Sequence, residues 1–193
     1  MGKLTVICGP MFSGKSTELL RRIKRAILAN IPVVVLKPHI DTRSVYYVKS
    51  HDGNKVEALA IFDSNGKKSD IIPLVGNAKL VAIDEVQFLN AAWHVKEVLE
   101  LLSLGKDVIV AGLDLDYAGQ PFGPMPLLLA YADEVIKLSA VCVKCGKDAT
   151  RTQRLTDGRP AGPGPVIQVG GAGSYEARCA DCWVSPAQVA QES

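Results

Sequence analysis

The chain has 193 residues, of which 48% are hydrophobic, and its 22 Lys and Arg nearly balance 20 Asp and Glu. This composition excludes general disorder, and a net charge of +2 gives no basic field of the kind that duplex-binding domains carry, so no nucleic-acid partner is expected. Apolar runs stay shorter than the roughly 18 residues that a membrane span needs, and no signal-peptide pattern is present. The sequence therefore predicts a cytoplasmic protein with no membrane partner.

Strand and helix patterns alternate along the first two thirds of the chain. Apolar, β-prone segments occur at 4–8, 33–36, 80–83 and 108–113. Helical spacing follows the first and third segments, in Leu19, Leu20, Ile23, Ile27 and Leu28 and again in Trp93, Val95, Val98, Leu99, Leu101 and Leu102. Because such alternation is typical of parallel strands joined by right-handed crossovers, we predict an α/β fold whose parallel sheet has helices on both faces.

Two regions depart from this pattern. Between residues 38 and 77, the β-prone segment 45–48 lies among turn-forming clusters, which predicts a hairpin and a mobile loop. After residue 141 the chain becomes rich in Gly and Pro. Such a stretch does not keep a regular structure by itself, so we expect a cross-link that staples it. We predict an α/β nucleotide-binding domain at 1–140, a small stapled domain at 141–183 and a mobile tail at 184–193.

Residues 9–16 read Gly-Pro-Met-Phe-Ser-Gly-Lys-Ser and match the phosphate-binding loop, with a predicted strand before them and a predicted helix after them. This phosphate loop makes the predicted sheet P-loop NTPase-like. Main-chain N–H groups from Ser13 onward would surround a β-phosphate, and Lys15 would neutralise its oxygens. Ser16 would hold Mg²⁺. The alternative is an ordinary glycine turn, which the strand and helix context disfavours.

An acidic pair, Asp84 and Glu85, follows the apolar segment 80–83. A carboxylate at the end of a buried strand can reach a metal or its water shell, and Asp84 fits that role. Because side chains alternate at a strand end, Glu85 should point elsewhere and can serve as a general base. The alternative is a helix cap or turn, a common use of acidic residues.

Four cysteines form two Cys-x-x-Cys pairs, at Cys142 and Cys145 and at Cys179 and Cys182. Four thiolates suit tetrahedral Zn²⁺ and leave no ligand position for water, so the predicted zinc is structural. Buried free thiols are the alternative. Cys8, inside the first strand, is assigned to the core, and none of the three histidines is assigned to metal.

Two loops have compositions that suit a ligand. The stretch 170–175 contains three glycines within the loop that the zinc would close, and residues 114–123 place two aromatics beyond a strand. Glycines let main chain approach a ligand, and ligands of open α/β sheets bind at the carboxyl ends of strands. A flexible linker and simple loop packing are the respective alternatives.

The quoted segments together resemble the zinc-containing (type II) thymidine kinases over residues 2 to about 183. The segments that carry the resemblance are the phosphate loop with Thr17, Glu18 and Leu19, then Asp41-Thr42-Arg43, Ser50-His51-Asp52-Gly53, Ile83-Asp84-Glu85-Val86-Gln87-Phe88, Pro121-Phe122-Gly123 and both cysteine pairs.

The resemblance implies transfer of a phosphoryl group from Mg·ATP to the 5′-hydroxyl of thymidine, with deoxyuridine also accepted, in nucleotide salvage. Glu85 matches the family's general base and Arg43 a phosphate-side arginine. The positions implied to bind ATP and Mg²⁺ are Gly9, Ser13, Gly14, Lys15, Ser16, Thr17, Asp84 and Gln87. Those implied to bind the nucleoside are Met11, Leu113, Tyr117 and Phe122, together with Val166, Gly170 and Tyr175 of a zinc-stapled loop similar to the family's lasso. A homotetramer inhibited by thymidine triphosphate is also implied.

Two departures and two other function classes qualify these expectations. Family members usually have Phe where Tyr117 stands and a basic residue where Ala118 stands. An ATPase motor with a zinc ribbon would share the phosphate loop and the cysteines but would respond to nucleic acid. A zinc-stapled module that senses nucleotide would have no use for a base such as Glu85.

Overall fold

The architecture comes from a computed structural model that describes residues 1–39, 47–49, 53, 55–61, 71–168 and 173–191. Its helices are α1 (Lys15–Leu28), α2 (Ile72–Val75), α3 (Ala91–Ser103), α4 (Met125–Tyr131) and α5 (Pro186–Gln191). Its strands are β1 (Leu4–Cys8), β2 (Val33–Pro38), β3 (Tyr47–Lys49), β4 (Lys55–Glu57), β5 (Leu59–Ile61), β6 (Leu80–Ile83), β7 (Asp107–Gly112), β8 (Glu134–Lys137), β9 (Ala140–Val141), β10 (Asp148–Ala149), β11 (Arg151–Thr156), β12 (Arg159–Pro160) and β13 (Tyr175–Arg178). A 3-10 turn, Val86–Phe88, separates β6 from α3.

The central sheet has six parallel strands within the described residues, in the order β5-β2-β6-β7-β1-β8. All five residues of β1 are buried, and they alternate between the two faces of the sheet. Leu4 and Val6 belong to one apolar cluster, whereas Ile7 belongs to the other. The predicted α/β sheet with helices on both faces is therefore confirmed.

The two faces of the sheet are covered by different helices. The α1 side buries Leu19, Leu20 and Ile23, and the opposite face packs against α3 and α4. The sequence pattern also placed Ile27 and Leu28 on the buried stripe of α1, but they are 51% and 83% exposed. Leu28 lies opposite Leu19 because each helical residue turns by about 100°, and Ile27 lies in the last turn of the helix.

The excursion between β2 and β6 contains the predicted hairpin, formed by antiparallel β3 and β4. The adjoining β5 was not predicted, and it pairs in parallel with β2 at the edge of the main sheet. The predicted mobile loop falls on residues 62–70, outside the described residues. None of the helices in the described ranges is long and apolar enough to cross a membrane.

Beyond β8 the chain forms short antiparallel sheets. β9 pairs with β10, and β11 pairs with both β12 and β13. Within the described residues, their shared apolar cluster is built from the small side chains of Ala140, Cys142, Ala149, Ala177 and Cys179. Within the predicted tail, α5 forms a short helix, and Gln153 holds the chain that leads to it through both main-chain polar groups of Val184, at 2.8 and 3.1 Å. The division at residues 140 and 183 stays a prediction.

Candidate active site

The phosphate loop connects the end of β1 to the first turn of α1. It passes through left-handed backbone at Phe12, with φ 66°, and at Gly14, with φ 84°. Gly9 has φ 141°, and a Cβ at this position would lie 2.3 Å from the carbonyl oxygen of Leu138. The loop therefore requires glycine at position 9, because no side chain fits against the main chain that follows β8.

Lys15 lies inside this loop among three carboxylates. Its Nζ donates a hydrogen bond to the Pro10 carbonyl oxygen at 2.6 Å. Burial lowers the pKa of Lys15 to about 8, while Asp84, Asp114 and Glu85 oppose that shift. The ammonium group is thus held at the carboxyl edge of the sheet, where the N-terminus of α1 also favours anions.

Ser16 and Asp84 meet directly across the strand edge. The Ser16 hydroxyl donates to Oδ2 of Asp84 at 3.0 Å, and Asp84 is only 5% exposed. Burial raises the pKa of Asp84, and the hydrogen bond from Ser16 and the charge of Lys37 oppose the rise. A hydroxyl and a carboxylate brought together in this way match the oxygen ligands that Mg²⁺ prefers, so these two residues fit the predicted metal.

Glu85 adopts a left-handed conformation, with φ 53°. The prediction that strand alternation sets the direction of Glu85 is wrong, because β6 ends at Ile83. The left-handed turn into Val86–Phe88 sets that direction. Oε2 of Glu85 lies 3.5 Å from Nζ of Lys37, and the side chain is 43% exposed. Partial burial of the carboxyl group and the charge of Asp84 raise the pKa of Glu85, while Lys37 lowers it. A non-glycine residue held at positive φ is a conformation that recurs at active sites.

Gln87 is 5% exposed, and it links the acidic turn to the end of β7. Its Oε1 accepts a hydrogen bond from the Leu113 amide at 3.1 Å. A Cβ at Gly112 would lie 2.7 Å from this oxygen, and one at Gly123 would lie 2.1 Å from the Gln87 carbonyl oxygen. The structure thus gives Gln87 a role in positioning Leu113, and its contact with ATP stays a prediction.

The loop after β7 carries Tyr117 and Phe122. Asp116 shapes the loop by accepting hydrogen bonds from the amides of Ala118 and Gln120 at 2.8 and 2.9 Å. The ring of Phe122 packs edge-on against Phe88, with centroids 5.6 Å apart. Both Tyr117 and Phe122 are largely buried, so the loop is packed and the two aromatics are fixed in place.

Strand β11 connects the phosphate loop to the predicted lasso. Thr152 accepts a hydrogen bond from the Met11 amide at 3.0 Å. Arg154 lies two residues later on the same face of the strand, and its guanidinium donates to the carbonyl oxygens of Pro165 and Val166 at 2.5 and 2.7 Å. Strand β11 therefore contacts both Met11 and the segment that contains Val166. It also pairs with β13, in which Tyr175 lies opposite Arg154.

The four predicted metal ligands form a cluster. The Sγ atoms of Cys142, Cys145, Cys179 and Cys182 all lie within 4.8 Å of one another. The Cys145 and Cys179 sulfurs are 3.6 Å apart, close to the edge of about 3.8 Å expected for a tetrahedron of thiolates around Zn²⁺. The thiols perturb one another, and the pKa of Cys182 is raised, chiefly by Cys179, while at Cys142 the effect of burial is outweighed by main-chain hydrogen bonds, which lower the pKa. Thiols crowded in this way fit a site built for a cation.

Comparisons with known proteins agree with this geometry. The sequence profile of the thymidine kinase family matches residues 2–183. This chain belongs to the thymidine kinase family. The thymidine kinase of Coprothermobacter proteolyticus is 49% identical over 180 residues, which cover 92% of this chain and 88% of that protein. The resemblance inferred from the sequence is confirmed.

Three residues that position the site of this thymidine kinase family member were not predicted from the sequence, and they are Phe88, Thr152 and Arg154. Phe88 closes the acidic segment that carried the resemblance, so its aromatic character was a usable signal. Thr152 and Arg154 lie in a polar strand whose partners are distant in sequence, and no local pattern marks them. Arg43 and Gly170 lie outside the described residues, whereas Thr17 is exposed in the first turn of α1 and Val166 is 46% exposed.

Proposed function

We propose that this protein transfers the γ-phosphoryl group of ATP to the 5′-hydroxyl of thymidine, giving thymidine monophosphate for nucleotide salvage. The observation that carries the proposal is the meeting of Lys15, Ser16, Asp84 and Glu85 at the carboxyl edge of the sheet. Membership of the thymidine kinase family supports the choice of nucleoside.

The phosphates of ATP would lie against the N-terminus of α1. Main-chain N–H groups of Ser13, Gly14 and the residues that follow are in the region where the helix favours anions, and Lys15 adds a positive charge. Ser16 and Asp84 would hold Mg²⁺, with Thr17 beside them in the first turn. A bound Mg²⁺ would neutralise charge on the β and γ phosphates.

Glu85 would act as the general base. As the 5′-oxygen bonds to the γ-phosphorus and the bond to the β–γ bridging oxygen breaks, the hydroxyl proton passes to the Glu85 carboxylate and ADP leaves. Its raised pKa suits this step because a stronger base accepts the proton more readily. The charge of Lys37, at 3.5 Å, lowers the pKa of Glu85 and so favours the ionised carboxylate. Arg43 is proposed to contact the phosphates.

The nucleoside is proposed to bind between the loop after β7 and the lasso. The residues offered for this contact are Met11, Leu113, Tyr117, Phe122, Val166, Gly170 and Tyr175. Their support is the packing of Phe122 on Phe88 and the attachment of Met11 and the lasso to β11. Main chain that reads the thymine edge would favour thymidine and accept deoxyuridine.

The further properties proposed for this protein are one structural Zn²⁺ on the four cysteines, a homotetramer, inhibition by thymidine triphosphate and a cytoplasmic location. The sulfur geometry supports the zinc. Family membership supports the others.

Replacement of Glu85 tests the proposed chemistry. Wild-type protein with Mg·ATP and thymidine should form thymidine monophosphate, and Glu85→Gln should lower kcat by about 10²- to 10⁴-fold with a small change in the KM for thymidine. Glu100→Gln, on the exposed side of α3, is the matched control and should retain wild-type kcat. Near wild-type turnover by Glu85→Gln would place the base elsewhere.

A further inference from the structure

Three aromatic and basic side chains hold four carbonyl groups of the segment 164–168. Tyr117 donates to the carbonyl oxygen of Gly164 at 3.0 Å, and Tyr175 donates to that of Gln168 at 2.8 Å. Arg154 donates to the carbonyl oxygens of Pro165 and Val166, between the other two. This segment belongs to no helix or strand, so side chains from elsewhere set its path.

Arg154 is the centre of this arrangement. It is 3% exposed, and its guanidinium carbon lies 3.6 Å from the ring centroid of Tyr117 and 5.5 Å from that of Tyr175. Its Nε also donates to the Tyr175 hydroxyl at 3.2 Å. A planar guanidinium offers donors in a fixed fork and stacks on aromatic rings, so a lysine could not make the same set of contacts.

Tyr117 adds a contact that a phenylalanine would lack. Its ring is 5% exposed and packs on Arg154, while its hydroxyl reaches the exposed main chain of Gly164. The ring therefore packs beneath the segment against Arg154, and the hydroxyl holds Gly164, at the end of the segment that follows β12. Removal of the hydroxyl alone would leave the ring and Arg154 in place, which makes the two contributions separable.

We propose that Tyr117 is a positioning residue, whose hydroxyl, together with the stacked Arg154, fixes the path of residues 164–168 and thereby sets the affinity for the nucleoside but not for ATP. The proposal rests on the proposed function, in which the lasso contacts thymidine. The anchor is linked to the phosphate loop through Thr152, yet the residues proposed to face ATP lie in that loop, in the first turn of α1 and in the turn after β6 rather than on this segment.

The first test is kinetic. Tyr117→Phe should raise the KM for thymidine by about three- to tenfold, the range expected for loss of one hydrogen bond, and leave the KM for ATP within about twofold. The fall in kcat should be smaller than the rise in KM. Arg154→Lys should raise the KM for thymidine further than Tyr117→Phe, since it loses two carbonyl contacts. A purely structural role would instead change both KM values and kcat together.

The second test does not depend on catalysis. Elastase should cleave wild-type protein slowly within 161–168, where Val166 and Ile167 are half-exposed, and mass spectrometry locates the cut. Tyr117→Phe should increase the cleavage rate there by about three- to tenfold, because the anchored path excludes the protease. Tyr131→Phe, a half-exposed tyrosine at the end of α4, is the matched control and should cleave as wild type does.

The two tests separate the inference from the proposed function. If wild-type protein does not phosphorylate thymidine, the proposed function fails, and faster cleavage of Tyr117→Phe alone would still show that the hydroxyl anchors the segment. If Tyr117→Phe matches wild type in thymidine KM or in cleavage rate, or if the KM for ATP rises equally, the positioning role is overturned.

Discussion

Glu85 and Lys37 form the pair of residues whose charges decide when the proposed base is ionised. Burial of the Glu85 carboxyl group and the neighbouring Asp84 raise its pKa, and the Lys37 ammonium opposes that rise. A base works only when deprotonated, so turnover should fall as the pH drops through this raised pKa. The acid limb of the pH profile should therefore lie above the ordinary titration range of glutamate.

Substitution of Lys37 should shift that acid limb. Without the positive charge, the pKa of Glu85 rises further, so Lys37→Gln should move the acid limb of kcat to higher pH by about one unit. The pKa of Asp84 moves in the same direction, because Lys37 also lowers it. The measurement is kcat against pH for wild type, Lys37→Gln and the exposed control Lys96→Gln. An acid limb that stays in place in Lys37→Gln would show that another group controls it.

The acidic turn between β6 and α3 is the element that presents Glu85. The turn ends at Leu89, and Asn90 caps α3 by accepting a hydrogen bond from the Ala92 amide at 2.9 Å. The cap therefore fixes where α3 begins after the turn that carries Glu85. It also satisfies a main-chain donor that the helix itself cannot pair.

Loss of this cap should destabilise the protein without changing its chemistry. Asn90→Ala should lower the free energy of unfolding by about 1 kcal/mol, whereas Asn90→Asp keeps the acceptor and should remain within a few tenths of wild type. Urea unfolding of the three proteins measures the difference. Equal stability of Asn90→Ala and Asn90→Asp would mean that the cap contributes nothing.

At the same scale, the sequence was most informative where structure is local. Strand β1, the phosphate loop and α1 follow directly from an apolar run, a glycine pattern and helical spacing. The direction of Glu85 did not follow, because a left-handed turn replaces strand alternation. β5 was missed since three residues carry too little pattern to reveal their pairing with β2.

Contacts between residues far apart in the sequence could not be predicted from local patterns, for a different reason. Arg154 meets Tyr117, Tyr175 and the segment 164–168 only after β11 has paired with β13. A polar strand gives no sign of such partners, because arginine in isolation is read as an exposed residue. The clustering of the four cysteines, in contrast, was predicted from the spacing of the two Cys-x-x-Cys pairs alone.

At the scale of the whole molecule, the cysteine cluster brings together the ends of β9 and β13 among the sheets beyond β8. The small core there contains alanine and cysteine side chains, whose burial provides little stabilisation, so metal binding should supply much of the folding energy of this region. The segment 164–168 is attached to these same strands through Arg154 and Tyr175, which donate to its carbonyl oxygens. Loss of the metal should therefore weaken nucleoside binding more than it weakens ATP binding at the phosphate loop.

Removal of one ligand tests this dependence. Wild-type protein should contain about one zinc per chain, and Cys145→Ser should lose most of it and weaken thymidine binding more than ATP binding. Cys8→Ala, a buried cysteine in β1, controls for loss of a thiol and should retain the zinc. Metal analysis and binding titrations provide the readouts. Active protein without zinc would contradict a structural metal.

Selection and phosphorylation of thymidine are measured together when the purified protein is incubated with Mg·ATP and each of the four deoxynucleosides. Thymidine should give the highest kcat/KM, deoxyuridine should lose only the contribution of one methyl group, about 1 kcal/mol, and deoxycytidine should be used more than about a hundredfold less well because its pairing edge reverses two hydrogen-bonding partners. Equal use of deoxycytidine and thymidine, or ATP hydrolysis without a phosphorylated nucleoside, would show that the protein does not select and phosphorylate thymidine.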